Sequence, residues 1–357
     1  MLKKSFSFYP GPSQVHSELP EYFKDAYDKG ILSINHRSDE FVKLCQKTIH
    51  LLKQKLNIPE DYTIMFASSA TECWEIAAQS LVENGSFHFY NGAFGQKWME
   101  YSHNITENSK GAKFDVEEKL SFDDVELGQE YDFIGLTQNE TSNGTQLSME
   151  QLKSCRLKFP DRLIGVDATS AMAGVETDYS LADFWYASVQ KCFGLPAGMA
   201  VIVCSPKAIE RAESLDIRGR YNSLPFMIDM IGDFQTTFTP NVINIYMLMR
   251  VLKNSEEIGE VDAKLEGRMN NWINFFENID GIEPLVENSE VRSMTVLPLR
   301  AEEEMVERIK AISKEAGLVL GNGYGQWKQS TFRIANFPAM PEKGINLLKD
   351  FFVENFT

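Results

Sequence analysis

The chain has 357 residues, 43% of them hydrophobic and 24% charged, with a formal net charge of −16. This is an ordinary globular composition, with material for a large core and about two domains. The acidic balance argues against a nucleic-acid backbone or an anionic membrane as partner, and no apolar run nears the roughly 18 residues of a membrane span.

The opening stretch MLKKSFSFYPGPS carries two lysines but no apolar h-region or small-residue cleavage site, so no signal peptide is expected. Two helical or strand-like runs follow before residue 70. EFVKLCQKTIHLLKQKL (40–56) sets Phe41, Leu44, Cys45, Thr48 and Leu52 on one helical stripe, and DYTIMFAS (61–68) reads as a buried strand. SATECWEIAAQSLV (69–82) is a helix with Trp74, Ala77, Ala78, Leu81 and Val82 on one face. Strand-like SFHFYN (86–91), YDFIGLTQ (131–138), RLIGVDAT (162–169), DFWYASVQ (183–190) and GMAVIVCS (198–205) come next. Strands separated by helices or long crossovers imply an α/β fold with a mostly parallel sheet covered on both faces.

A helical stretch near 241–278 leads into a segment of different character: SMTVLPLR, the charged helix AEEEMVERIKAISKEAG, a Gly-rich loop, the strand TFRIANF and a closing helix. The expected organisation is a large α/β domain over 15–255 and a smaller α+β domain over 256–357, with 1–14 packing nearby. Five scattered cysteines (Cys45, Cys73, Cys155, Cys192, Cys204) without CxxC spacing fit reduced thiols in a cytoplasmic protein. The five histidines (His16, His36, His50, His88, His103) form no HExxH or HxxxH pair, so no metal site is expected.

Three groups of residues carry possible chemistry. In MFASSATECW, Ser69 and Glu72 fit the capping box S-x-x-E, which places the free N–H groups of Ala70, Thr71 and Glu72 at the sheet's carboxyl edge. Such a helix N-terminus either binds phosphate or is simply well capped. Asp167 and Lys191 each end an apolar strand, where ligands of open α/β sheets bind. They are either a structural ion pair or a pyridoxal phosphate site, in which the lysine forms a Schiff base and the aspartate pairs with the ring N–H. Phe193 and Leu195 would shield Lys191 from water, lowering its basicity and freeing the amine as nucleophile and proton shuttle. Finally, Arg37 beside His36, and Arg333 between Phe332 and Ile334, are candidates for anionic substrates, though each taken alone reads first as a surface or structural arginine.

In order along the chain, FYPGPS, INHRSDEF, NGAFGQKW, TQNETSNG, GVDATSAMAG, SVQKCFGLPAGMAV, the TP-N-x-x-x-IY stretch from Thr239, and TFRIANFP resemble the class V pyridoxal-phosphate aminotransferases of fold type I. The resemblance spans nearly the whole chain. It implies a large, mostly parallel seven-stranded sheet domain with a smaller α+β C-terminal domain, and pyridoxal 5′-phosphate as cofactor. By position it makes Lys191 the Schiff-base lysine and Asp167 the ring-nitrogen partner. Phe94 stands where a stacking aromatic, usually Trp, is found, and Thr141 is placed to bond the cofactor's phenolic oxygen. Ala70, Thr71 and Gln190 fall to the phosphate, with Thr239 reaching it from the neighbouring subunit of a homodimer whose sites lie at the subunit interface. His36 and Arg37 match a pair that binds a substrate phosphate, and Arg333 matches the α-carboxylate clamp.

The resemblance has departures. Gln326 and Trp327, followed by Lys328, replace a His-Arg pair; Phe238 replaces an Asn before the trans threonine; Ala70 and Thr71 replace a Gly/Arg. The implied reaction is amino transfer between glutamate and 3-phosphohydroxypyruvate, both small anionic substrates. The alternative is transamination of unphosphorylated serine or alanine with glyoxylate or pyruvate. A cysteine desulfurase is opposed by the lack of any cysteine after Cys204 and by Gln190 where that class tends to have His. A fold-sharing protein without chemistry would have a broken Lys/Asp pair, and a dinucleotide oxidoreductase would need a glycine fingerprint around a βαβ unit.

Overall fold

The computed structural model describes residues 5–356; MLKK at the start, which bears on the targeting reading above, and the final threonine lie outside the described residues. The larger sheet has seven strands in the order Thr63–Ala67, Ala200–Cys204, Phe184–Ser188, Leu163–Asp167, Phe133–Thr137, Ser86–Tyr90, Ser109–Lys113. Only Ala200–Cys204 runs antiparallel to its neighbours. The central strands are buried along their length, FIGLT, LIGVD, FWYAS and AVIVC alike, because helices cover both faces. The outermost strand, SKGAK, pairs with Ser86–Tyr90 and is largely exposed; its lysines are a common guard on a sheet edge.

Helix Asp39–Leu56 starts on a Ser38 side chain that accepts from the Phe41 N–H, and ends on Asn57 in the left-handed conformation. It buries the predicted stripe against helix Val242–Asn254. The stretch expected as helical near 241–278 divides into Val242–Asn254 and Ile258–Phe276, the chain turning extended at Ser255.

A second sheet of five strands runs Phe6–Phe8, Leu318–Asn322, Thr331–Ala335, Val296–Arg300, Glu283–Pro284. Its first strand comes from the beginning of the chain and pairs in parallel with Leu318–Leu320. This sheet has its own core, built largely of aromatics: Phe8, Trp272, Phe276, Phe332 and Phe352, with Phe332 stacked on Phe352 at 5.8 Å between centroids. Phe332 and Ile334 point into that core, and the period of two along the strand turns Arg333 the other way, toward the larger sheet.

Candidate active site

Strands Leu163–Asp167 and Phe184–Ser188 are parallel neighbours, so the two chemistry-bearing residues of the sequence emerge from adjacent strand ends. Lys191 is 7% exposed. Its Nζ donates to Thr141 Oγ1 at 2.9 Å and to Ser170 Oγ at 3.0 Å, and these two hydroxyls bond each other. Burial lowers the amine's pKa to about 8, against the pull of the Asp167 and Glu140 carboxylates. The lysine stem is covered by the N-terminal strand's continuation: Ser13 N–H donates to the Gln190 carbonyl, and a Cβ on Gly11 would fall 3.0 Å from Lys191 Cε. Gly11 also sits at φ +143°, so a glycine is needed there twice over.

Asp167 is buried, and burial raises its carboxyl above the ordinary range; one oxygen accepts from the Thr169 N–H at 2.9 Å. The Thr169 and Tyr186 side chains also bond this carboxylate, and a cationic ring nitrogen would be a fitting further partner for it. Phe94 lies with its ring centroid 5.0 Å from Lys191 Nζ, as a stacking residue would. Its helix, Ala93–His103, begins on Gly92, which has no side chain to cap it. Glu140 does so from a distance: one carboxylate oxygen accepts from the Phe94 and Gly95 N–H groups at 3.0 and 3.1 Å. Ser142 Oγ accepts from the Ala93 N–H at 3.0 Å. Neither Ser170 nor Glu140 figures among the residues expected from the sequence, because their partners are remote in the chain.

The helix terminus Ala70–Ser80 differs from the expected capping box. Ser69 Oγ accepts from the Glu72 N–H at 3.1 Å as predicted, but the Glu72 carboxylate turns back to the N–H and hydroxyl of Ser68, at 2.7 and 2.5 Å, rather than to the Ser69 N–H. Tyr221 donates to the other oxygen at 2.7 Å. The Ala70 N–H is also engaged, by Ser188 Oγ at 3.1 Å. Of the three donors expected to be free, the side-chain competition for backbone N–H groups leaves Thr71, whose residue is exposed. Gln190 Oε1 is buried with no hydrogen-bond partner among the described residues.

Arg333 is 4% exposed; it donates to the carbonyls of Asn322 and Thr141, both at 2.6 Å, and burial lowers its pKa. The Tyr324 ring lies 5.6 Å from its guanidinium carbon and 5.6 Å from the Phe94 ring. The structure thus brings together Lys191, Asp167, Thr141, Phe94 and Arg333. His36 and Arg37 stand elsewhere: Arg37 is exposed and donates to Gln235 Oε1 at 2.7 Å, in the loop that carries the exposed Thr239. Burial, and then the adjoining Arg37 charge, lower the His36 pKa. Among the described residues no hydrogen bond or ring contact joins His36, Arg37 or Thr239 to Lys191 or Arg333. Trp327 lines a surface recess with Gly281, Leu285 and Arg300.

These residues fit pyridoxal 5′-phosphate: an amine of lowered basicity, a buried carboxylate on the next strand and an aromatic face beside the amine. A mostly parallel sheet with such a lysine at its edge defines a fold type I enzyme. The class V aminotransferase profile matches residues 10–323, and the chain belongs to that family. A phosphoserine aminotransferase of known structure from Cytophaga hutchinsonii matches with a TM-score of 0.95 at 30% identity, covering 100% of both chains. The phosphoserine aminotransferase of Rhodococcus opacus (strain B4) is 25% identical over 370 residues, 98% of this chain and 94% of that one. An alanine–glyoxylate aminotransferase from a Nostoc species shares the fold, with a TM-score of 0.81 at 17% identity over 98% of this chain and 94% of that one. The protein is accordingly a transaminase, and its family implies pyridoxal phosphate dependence. No helix among the described residues is long and apolar enough to cross a membrane.

Proposed function

We propose that the protein transfers the amino group of glutamate to 3-phosphohydroxypyruvate, giving O-phosphoserine and 2-oxoglutarate. The observation that carries this reading is the full-length likeness to the Cytophaga hutchinsonii phosphoserine aminotransferase, together with a buried Arg333 beside the Lys191 amine. When bound, pyridoxal 5′-phosphate supplies an aldehyde for amine exchange and a ring that takes up the electron pair released at the substrate's α-carbon. Lys191 is the residue to which it would attach, Asp167 would keep its ring nitrogen protonated, Phe94 would lie on its face, and Thr71 and the amide NH2 of Gln190 would meet its phosphate, the Ala70 N–H being held by Ser188.

The chain's own residues supply the rest. Arg333, already held by two backbone carbonyls, presents its remaining N–H groups to the α-carboxylate in the bidentate manner guanidinium allows. An amine with a pKa of about 8 is near neutral-pH balance, and so can both remove and return a proton at the α-carbon. The surrounding burial keeps water from that proton.

We further propose a homodimer in which Thr239, His36 and Arg37 serve the partner's site. Their support is shared location: Arg37 bonds Gln235 on the loop of Thr239, and none of the three reaches Lys191 within its own chain. A cytoplasmic location fits five buried cysteines, all free.

A second reading, transamination of unphosphorylated serine or alanine, is favoured by one observation: Gln326 is exposed and Trp327 lines a recess away from Lys191, so neither supplies the cation of a His-Arg pair. The test is the half-reaction with O-phosphoserine, serine and alanine, in the wild type and in Arg37→Ala. A charge-assisted contact is worth about 1.5–3 kcal/mol, so O-phosphoserine is expected to saturate at least tenfold lower than alanine, and Arg37→Ala to erode that advantage. Equal loss for both substrates would remove the phosphate role of Arg37.

A further inference from the structure

Phe94 and Lys97 are three residues apart on the helix Ala93–His103 and therefore share a face. Lys97 Nζ donates to the Tyr324 hydroxyl at 2.7 Å and lies 5.4 Å from the Tyr324 ring centroid and 5.9 Å from that of Phe94. The Tyr324 ring also lies 5.6 Å from the Arg333 guanidinium carbon. Two cations, the buried Arg333 and the exposed Lys97, therefore lie within 6 Å of one aromatic ring. Among the described residues no carboxylate comes within ion-pair distance of Lys97, so its charge is not internally neutralised. The loop that supplies Tyr324 also carries the uncharged Gln326 and Trp327. The loop has no charged side chain of its own from Gly321 to Trp327, and an ammonium from the facing helix is tethered to it.

We propose that Lys97 is a specificity-determining residue that receives the distal anionic group of the substrate, phosphate or carboxylate, with Tyr324 holding the ammonium at the rim. The inference rests on the reading above of Arg333 as the α-carboxylate clamp. Lys97 would join the Arg37 proposed above for the distal end, so the site favours amino acids that carry a second anion and gives nothing extra to those that do not. Lys97 is exposed, so its replacement leaves the fold intact.

The experiment compares wild type, Lys97→Met, Lys97→Arg and Tyr324→Phe in single-turnover half-reactions with O-phosphoserine, glutamate and alanine. In parallel, the dissociation constant of glutarate, an unreactive dianion, is measured by calorimetry. Lys97→Met is expected to raise half-saturation for both dianionic donors, and the glutarate constant, by roughly tenfold while leaving alanine unchanged. Lys97→Arg restores most of the loss, and Tyr324→Phe gives a smaller loss of the same pattern. O-phosphoserine alone affected identifies phosphate as the anion received; glutamate and glutarate affected alone identifies carboxylate, and either supports the role. If the wild type prefers O-phosphoserine and Lys97→Met keeps the full preference and glutarate affinity, the role of Lys97 is overturned while the functional reading stands. If the wild type shows no preference for either dianion over alanine, the functional reading falls and this inference with it.

Discussion

The Arg333 guanidinium donates to the Thr141 carbonyl at 2.6 Å, and the hydroxyl of the same threonine accepts from Lys191 Nζ at 2.9 Å. One residue of the larger sheet's loop thus touches both the arginine of the smaller sheet and the Lys191 amine. Thr295 reinforces the link, its hydroxyl donating to the Ser170 carbonyl at 2.7 Å while Ser170 Oγ accepts from the amine. Small-sheet position and amine position are therefore coupled through a few hydrogen bonds.

Arg333→Lys tests that coupling. A lysine offers one point charge where the guanidinium bonds two carbonyls and keeps N–H groups for the proposed α-carboxylate. Half-saturation is expected to rise roughly tenfold or more for every amino-acid donor alike, alanine included, in single-turnover assays. A loss confined to dianionic donors would place Arg333 at the wrong end of the substrate.

The lowered pKa of Lys191 predicts a pH dependence of stability in the cofactor-free protein. The amine titrates at about 8 when folded and at its ordinary 10.5 when unfolded. Between those values the unfolded chain binds more protons, so stability rises with pH across that window and the cost of the buried ammonium is greatest below it. Lys191→Met is expected to raise the urea midpoint at about pH 6.5 and to gain less at about pH 10. A larger gain at the alkaline end would contradict the sign.

Asp167→Asn keeps shape and removes the charge proposed to pair with the cofactor's ring nitrogen. Turnover of alanine and O-phosphoserine is expected to fall roughly 10²–10³-fold, the scale seen when one preorganised electrostatic partner is lost. Measured in single turnovers, the loss should appear in the maximal rate rather than in half-saturation. The reverse division would make Asp167 a binding residue.

Glu140→Ala removes the remote cap of the Phe94 helix and strands the N–H groups of Phe94, Gly95 and Ser142. Unfolding by urea is expected to show a loss of roughly 2 kcal/mol, with Glu140→Gln losing less because its amide oxygen still accepts. No change in either variant would show that water caps the helix as well as Glu140 does.

Most of the larger sheet was legible in the sequence because its strands are buried on both faces and read as uninterrupted apolar runs, as in FIGLT and AVIVC. The edge strand SKGAK escaped, since an exposed edge is selected for lysine and small residues rather than for an apolar run. Lys191 and Asp167 were legible because each breaks such a run at its end. Glu140 and Ser170 were not: their partners Phe94 and Lys191 are 46 and 21 residues away, and nothing local marks a cap or an amine acceptor that acts across the fold. The capping box was half right for the opposite reason, local chemistry being visible while the choice of Glu72 between Ser69 and Ser68 depended on the loop holding Tyr221.

The central claim is that the Lys191 amine is the group that holds the cofactor. Borohydride reduction of the protein loaded with pyridoxal 5′-phosphate, followed by digestion and peptide mapping, tests it directly. The account predicts a single reduced adduct on the peptide containing Lys191, abolished in Lys191→Met. An adduct on another lysine at full occupancy, with Lys191 unmodified, would contradict it.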